Sequence, residues 1–124
     1  MPGLAERFVT MAIIYAVIGM SLGIAMGAIQ DFTDLHVHAH LNVVGWATMA
    51  LFGLIYRAWP ALAERKLAVA HFWAAMVGVP ILLLGMFIAK RTGDEAVVMV
   101  GASIVLLSMI LFLVNFLSGR SRTA

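Results

Sequence analysis

The chain has 124 residues, of which 64% are hydrophobic and 11% charged, with a formal net charge of +2 and no cysteine. An ordinary soluble domain carries roughly 25% charged residues, so these side chains cannot cover a soluble surface, and a soluble enzyme, a disordered chain and a coiled coil are excluded. Disulfides, iron–sulfur clusters and thiolate zinc sites are excluded with the cysteines, and the basic residues are too scattered among apolar ones to suit nucleic acid.

Charges mark the boundaries of four apolar stretches: Phe8–Ile29, Val37–Trp59, Leu67–Ala89 and Ala96–Leu117, each free of Asp, Glu, Lys and Arg apart from Arg57 near an end. Each holds 22 or 23 residues, enough for a transmembrane helix, which needs about 20. They are too long for barrel strands, and lipid offers a backbone no other partners. The fold class is therefore an all-α membrane protein, a single up-down domain of four helices over residues 1–124. The connections Gln30–His36, Pro60–Lys66 and Lys90–Glu95 are short, which makes consecutive helices antiparallel neighbours. The first apolar run is too long for a signal peptide and three more follow it.

In chain order, span 1 carries Gly19, Gly23 and Gly27 at intervals of four. This small-residue face serves either close helix packing or room for a flat cofactor. The first connection holds Asp31 and Asp34, placed either to orient a nearby imidazole or attract a cation, or simply as a solvated loop. Span 2 opens on LHVHAHLNVVGW, with His36, His38, His40 and Asn42. Trp59 sits at its far end, where an interfacial anchor is expected. Span 3 has His71 near its start and Pro80 between Gly78 and Gly85, a position expected to kink it. Span 4 is uniformly apolar, and the nine methionines suit soft packing. No span contains a carboxylate, which removes the small proton-coupled multidrug exporters from consideration.

Arg7, Arg57, Arg65, Lys66, Arg120 and Arg122 fall on one side of such a bundle, and Lys90 and Arg91 on the other. The positive-inside rule then gives a multi-pass protein of a bacterial-type inner membrane with both termini in the cytoplasm.

Imidazole is the usual protein ligand for haem iron and copper, and ionisable groups inside a membrane are functional by default. At 100° per residue, His38 and His40 leave a helix about 200° apart, so they cannot clamp one iron. His36 and His40 lie within about 40° of each other and could share a small ion such as copper. His38 shares its face with Asn42 and Gly45. His71 belongs roughly 20–25 Å away across the bilayer. A bis-histidine haem therefore needs two copies of the chain, with His38 from one and His40 from the next.

The segments HVHAHLNVVGWATMALFGLIYRAWP and LAVAHFWAAMVGVPILLLGMFI resemble the catalytic subunit of the haem–copper oxygen and nitric-oxide reductases, of cytochrome c oxidase subunit I type. The likeness covers spans 2 and 3. It implies a four-helix unit equal to one of that subunit's three arcs, hence a homotrimer of twelve helices around a ring. It implies haem b held by His38 and His40, each serving a different haem; on the residues themselves, His36 is a possible copper ligand or gating residue, and Asn42 a cofactor-side hydrogen-bonding residue or a packing amide. The resemblance departs at the copper centre: span 3 offers only His71, no tyrosine matches the one crosslinked to a copper ligand, and the acids of proton pathways are missing. It therefore implies electron transfer, haem handling or interaction with a diatomic gas; the electron donor is not specified. Two other readings stay open. One is a copper-binding or metal-transport module using His36, His38, His40, Asp31 and Asp34. The other is an accessory subunit with no ligand.

Reporter fusions test the topology. A C-terminal fusion is expected to be active only when the reporter works in the cytoplasm, and activity only on the outer side would reverse the orientation.

Overall fold

The computed structural model describes residues 3–122. Four helices are long and apolar enough to cross a membrane: α1 (Leu4–Ile29), α2 (Leu35–Ala58), α3 (Lys66–Thr92) and α4 (Ala96–Gly119). They contain the four expected spans with one exception. Trp59 lies outside α2 with non-helical backbone (φ −123°, ψ 74°), because Pro60 disfavours helical geometry in the residue before it. Pro60 then opens a single helical turn, Pro60–Ala63, as the first position of a helix allows. α1 starts and α3 ends beyond the apolar limits because Glu6, Arg7, Lys90 and Arg91 continue the helices toward water, while Ile29 and Ala96 stay the limits expected. α1 stops where Gln30 turns left-handed (φ 54°), and α3 where Gly93 does (φ 76°). The Gly93 N–H donates to the Ala89 carbonyl at 2.8 Å, closing the helix end. α3 continues as one helix through Pro80, so the proline costs one backbone bond without ending the segment.

The helices associate as two close pairs, α1 with α2 and α3 with α4. Glycine sets the spacing in both. A Cβ on Gly85 would stand 2.5 Å from the Val98 nitrogen, and one on Gly78 would stand 2.8 Å from Ile104 Cγ2. Gly101 of α4 faces the backbone of Leu82 in the same way. In α1 and α2, a Cβ on Gly53 would meet the Ala5 carbonyl at 2.8 Å, and one on Gly45 the ring of Tyr15 at 2.7 Å. Such contacts are where transmembrane helices gain dispersion energy that lipid cannot match.

The two pairs are joined at one end by an aromatic cluster. Phe8 of α1, Phe52 of α2 and Phe112 of α4 surround the His71 ring of α3 at centroid distances of 5.0, 4.4 and 5.1 Å. A polar chain runs beside it. Arg65 Nη1 donates to the Asn115 side-chain oxygen (2.7 Å) and carbonyl (2.8 Å). Asn115 Nδ2 donates to the Leu62 carbonyl (3.2 Å) and to the Tyr56 hydroxyl (3.3 Å). The Tyr56 hydroxyl lies 2.9 Å from His71 Nδ1. At the opposite end, Arg91 donates to both carboxylate oxygens of Asp34, at 2.8 and 2.9 Å, while its guanidinium sits 3.5 Å above the Phe87 ring.

Replacing Gly85 by Val is expected to destabilise the bundle by about 1–3 kcal/mol, because backbone lies where the side chain must go. Gly27→Ala, where nothing lies within 4 Å, should leave stability unchanged or slightly raised. Unfolding in graded sodium dodecyl sulfate, followed by circular dichroism, measures both.

Candidate functional site

The loop before α2 is fixed by its own acids. Asp31 accepts from the Thr33 hydroxyl at 2.5 Å and the Thr33 N–H at 3.0 Å, and the hydroxyl bond holds its carboxyl below the usual carboxylate range. Asp34 is held low by the guanidinium of Arg91. Asp34 faces an arginine and Asp31 a threonine, not an imidazole. The expectation that either acid orients a histidine is corrected: both anchor the chain that delivers α2 to the bundle.

α2 begins as an α-helix over Leu35–His40, widens to a π-helix over Leu41–Thr48 and returns to α-helix at Met49. The sequence reading did not anticipate the π segment. Within it the Thr48 hydroxyl donates to the carbonyl of Val43, five residues back, at 2.8 Å, and Gly45 admits the Tyr15 ring against the backbone. Wide turns of this kind often accompany functional sites. This one lies directly below the histidines, so the α-helical period does not carry from His40 to Met49.

His38 turns toward α1. Its Nδ1 lies 2.7 Å from the Gly19 carbonyl. A carbonyl only accepts, so Nδ1 carries the proton. Gly23 makes this bond possible. In a helix the side chain four residues on covers a carbonyl, and a Cβ at Gly23 would stand 2.6 Å from His38 Cε1. Asn42 fills the neighbouring gap, 3.1 Å from the Cβ position of Gly19, and its Nδ2 donates to the His38 carbonyl at 2.9 Å. The glycine face is thus occupied by His38 and Asn42 at Gly19 and Gly23, while Gly27 remains open. His38, Asn42 and Gly45 all meet α1, at Gly23, Gly19 and Tyr15, although Asn42 and Gly45 lie in the π segment.

His40 is half-buried and carries a second bond of the same kind, Nδ1 to the His36 carbonyl at 2.9 Å. In both rings a backbone carbonyl fixes the Nδ1–H tautomer and leaves Nε2 with its lone pair. Metal-ligating histidines are held in this way. Among the described residues, neither Nε2 has a hydrogen-bond partner that would compete for that pair. His36 is exposed and lines a cleft of about 230 Å³ with Thr33, Val37, Lys90 and Glu95. Among the described residues, no three His, Asp or Glu side chains converge on one point. Within one chain, then, His36, His38, His40, Asp31 and Asp34 do not form the ligand cage that a copper or transport module would need.

His71 is fully buried. Its contacts with Phe8, near the start of α1, and Phe112, near the end of α4, place it in the aromatic cluster rather than with His38 and His40. Among the described residues its Nε2 has no hydrogen-bond partner. Asn115 is the residue that sequence reasoning missed. The available signal was one amide in an apolar run of 22 residues, which lipid would leave unsatisfied unless another segment supplied a partner.

In comparisons with known proteins, the chain is 31% identical over 71 residues to cytochrome c oxidase subunit 1 of Rhodobacter capsulatus. The match covers 52% of this chain and 13% of that protein, so the chain spans only a small part of its relative. No protein-family model matches the sequence, and no solved structure matches it. The similarity is a weak one, to a haem–copper oxidase-like segment, in a chain with four helices able to span a membrane.

The Gly19–His38 bond is open to direct measurement. In 15N-histidine NMR, His38 should appear as the Nδ1–H tautomer. Gly23→Ala should convert it to a tautomer mixture by pushing the ring off the Gly19 carbonyl. An unchanged His38 signal in that variant would show that the glycine does not hold the ring.

Proposed function

We propose that this chain is a haem-binding membrane protein related to the haem–copper oxidases, with haem b ligated by His38 and His40. The observation that carries the proposal is the paired tautomer lock. Two imidazoles, two residues apart, each commit Nδ1–H to a backbone carbonyl and keep Nε2 available. Among the described residues His71 also leaves Nε2 without a partner, but it is fully buried against Phe52, whereas His38 and His40 are only half-buried. The likeness to an oxidase subunit 1 segment supports the same reading.

The residues fit an iron-ligating role. Imidazole is a standard axial ligand, and the open Gly27 lies beyond Gly23 along the same face of α1. Haem held there would supply one-electron transfer or binding of a diatomic gas. The chain's own part is to fix the ring planes and tautomers and to surround the ligand nitrogens with apolar helices. His38 leans on α1 while His40 is on the other flank of α2, so one chain cannot give both ligands to one iron. The proposal therefore includes self-association, a homotrimer in which each haem takes His38 from one protomer and His40 from the next. His36 alone does not make a copper site, since no third ligand converges with it. The inner membrane and cytoplasmic termini belong to the same proposal and rest on the distribution of Lys and Arg.

An absorption spectrum of the detergent-purified protein, with a pyridine haemochrome assay, tests it. A Soret band with low-spin b-type features is the expected result. His38→Ala and His40→Ala should each abolish the bis-histidine spectrum, and co-expression of the two variants should restore part of it. His71→Ala should retain it. A protein purified without any Soret band after haem supplementation would overturn the proposal.

A further inference from the structure

A cleft of about 350 Å³ opens between α1 and α2 at the end where α1 begins, lined by Glu6, Val9 and Thr10 on one wall and Gly53, Leu54 and Arg57 on the other. Both walls follow the helical period. Glu6, Val9 and Thr10 are spaced by three and four residues, and so are Arg57, Leu54 and Gly53 read backwards along the antiparallel partner. The helices touch at the floor, where a Cβ on Gly53 would meet Val9 Cγ2 at 2.6 Å. Ile13 continues the α1 wall one turn beyond Thr10, and it is exposed, as is Leu54. From Glu6 to Ile13 the helix rises about 10 Å, a third of a hydrocarbon core about 30 Å thick. The groove therefore runs from the charged helix ends into the apolar part of one leaflet.

The mouth carries two opposite charges that do not meet. Among the described residues, neither Glu6 nor Arg57 shares an ion pair or a side-chain hydrogen bond with the other or with any neighbour. The carboxylate comes from α1 and the guanidinium from α2, with the cleft between them. Glu64 lines the next cleft around Arg57, so Glu6 is the carboxylate of this one. Two opposite charges held apart complement a group that is itself a zwitterion. A phosphodiester oxygen accepts from a guanidinium, and a primary ammonium donates to a carboxylate. A quaternary ammonium has no N–H to give, and a glycerol headgroup brings the phosphate charge to Glu6 with no cation to offset it.

We propose that this cleft binds one zwitterionic phospholipid with a primary amine, a phosphatidylethanolamine. Its phosphate lies at Arg57, its ammonium at Glu6, and an acyl chain runs along Val9, Ile13 and Leu54. The site lies at the far end of α2 from His38 and His40 and does not depend on what they bind.

Native mass spectrometry of the protein in detergent tests the assignment, with the dioleoyl forms of phosphatidylethanolamine, phosphatidylcholine and phosphatidylglycerol as probes. One ion pair at a solvated membrane surface is worth up to about fivefold in affinity. Retention of one phosphatidylethanolamine per protomer is expected, about fivefold tighter than either other lipid. Glu6→Gln should bring phosphatidylethanolamine and phosphatidylcholine to near equality. Arg57→Gln should weaken both by about fivefold and keep the preference between them, and Glu64→Gln should leave that preference intact. Thr10→Trp, which fills the cleft, should weaken phosphatidylethanolamine binding by about fivefold or more with both charges present. Circular dichroism confirms that each variant is folded. Equal retention of phosphatidylethanolamine and phosphatidylcholine by the unaltered protein overturns the proposal, as does a preference that survives Glu6→Gln or is lost in Glu64→Gln. Full displacement by millimolar phosphoethanolamine also overturns it, since that would mark a headgroup site without acyl recognition.

Discussion

Lipid tails are as apolar as the side chains of these helices, so burying a leucine against a neighbour gains little over leaving it in hydrocarbon. Cohesion must come from close backbone approach and from polar groups that lipid cannot satisfy. The structure uses both. Gly78, Gly85 and Gly101 bring α3 and α4 into backbone contact, and Gly45 and Gly53 do the same for α1 and α2. Where glycine is absent, polar bonds tie the pairs together: Asn115 with Tyr56 at one end and Asp34 with Arg91 at the other. α4, with the highest mean hydropathy, 2.9, and only 11% of its most apolar stretch buried, depends on the glycine seam with α3.

The candidate ligand site is a consequence of the same packing. Gly19 and Gly23 exist within a face that allows α2 to approach α1. Their lack of side chains also exposes one carbonyl to the His38 ring. One feature therefore sets both the helix spacing and the tautomer of an imidazole. A substitution at Gly23 acts on both, which couples the stability of the α1–α2 pair to the nitrogen available for a metal. The π segment below the histidines adds a second constraint, because it rotates His38 and His40 relative to the α-helical half of α2 that is gripped by the aromatic cluster.

His71 shows how similar chemistry takes a different role at a different depth. It hydrogen-bonds Tyr56 and is packed by phenylalanines from three helices. That arrangement joins the two helix pairs, and a ligand could reach it only by displacing packed rings. His38 and His40 thus keep their second nitrogen in half-buried surroundings, and His71 encloses its own.

The sequence alone determined the membrane class, the four helices and most of their limits, because the cost of placing charge or unsatisfied backbone in hydrocarbon is large and local. It also placed His38, Asn42 and Gly45 on one face, because they lie within three turns of one helix. The tertiary structure decided the rest. Asp34 pairs with Arg91, 57 residues away, and Asn115 pairs with Arg65, 50 residues away. Such partnerships depend on which helix ends meet, and no local period encodes that. The His38 tautomer likewise rests on a carbonyl 19 residues earlier in the chain. The π segment came from neither composition nor period: a helix of given residues can widen by one residue per turn at small local cost, and the packing of Gly45 against Tyr15 on α1 accompanies that choice here.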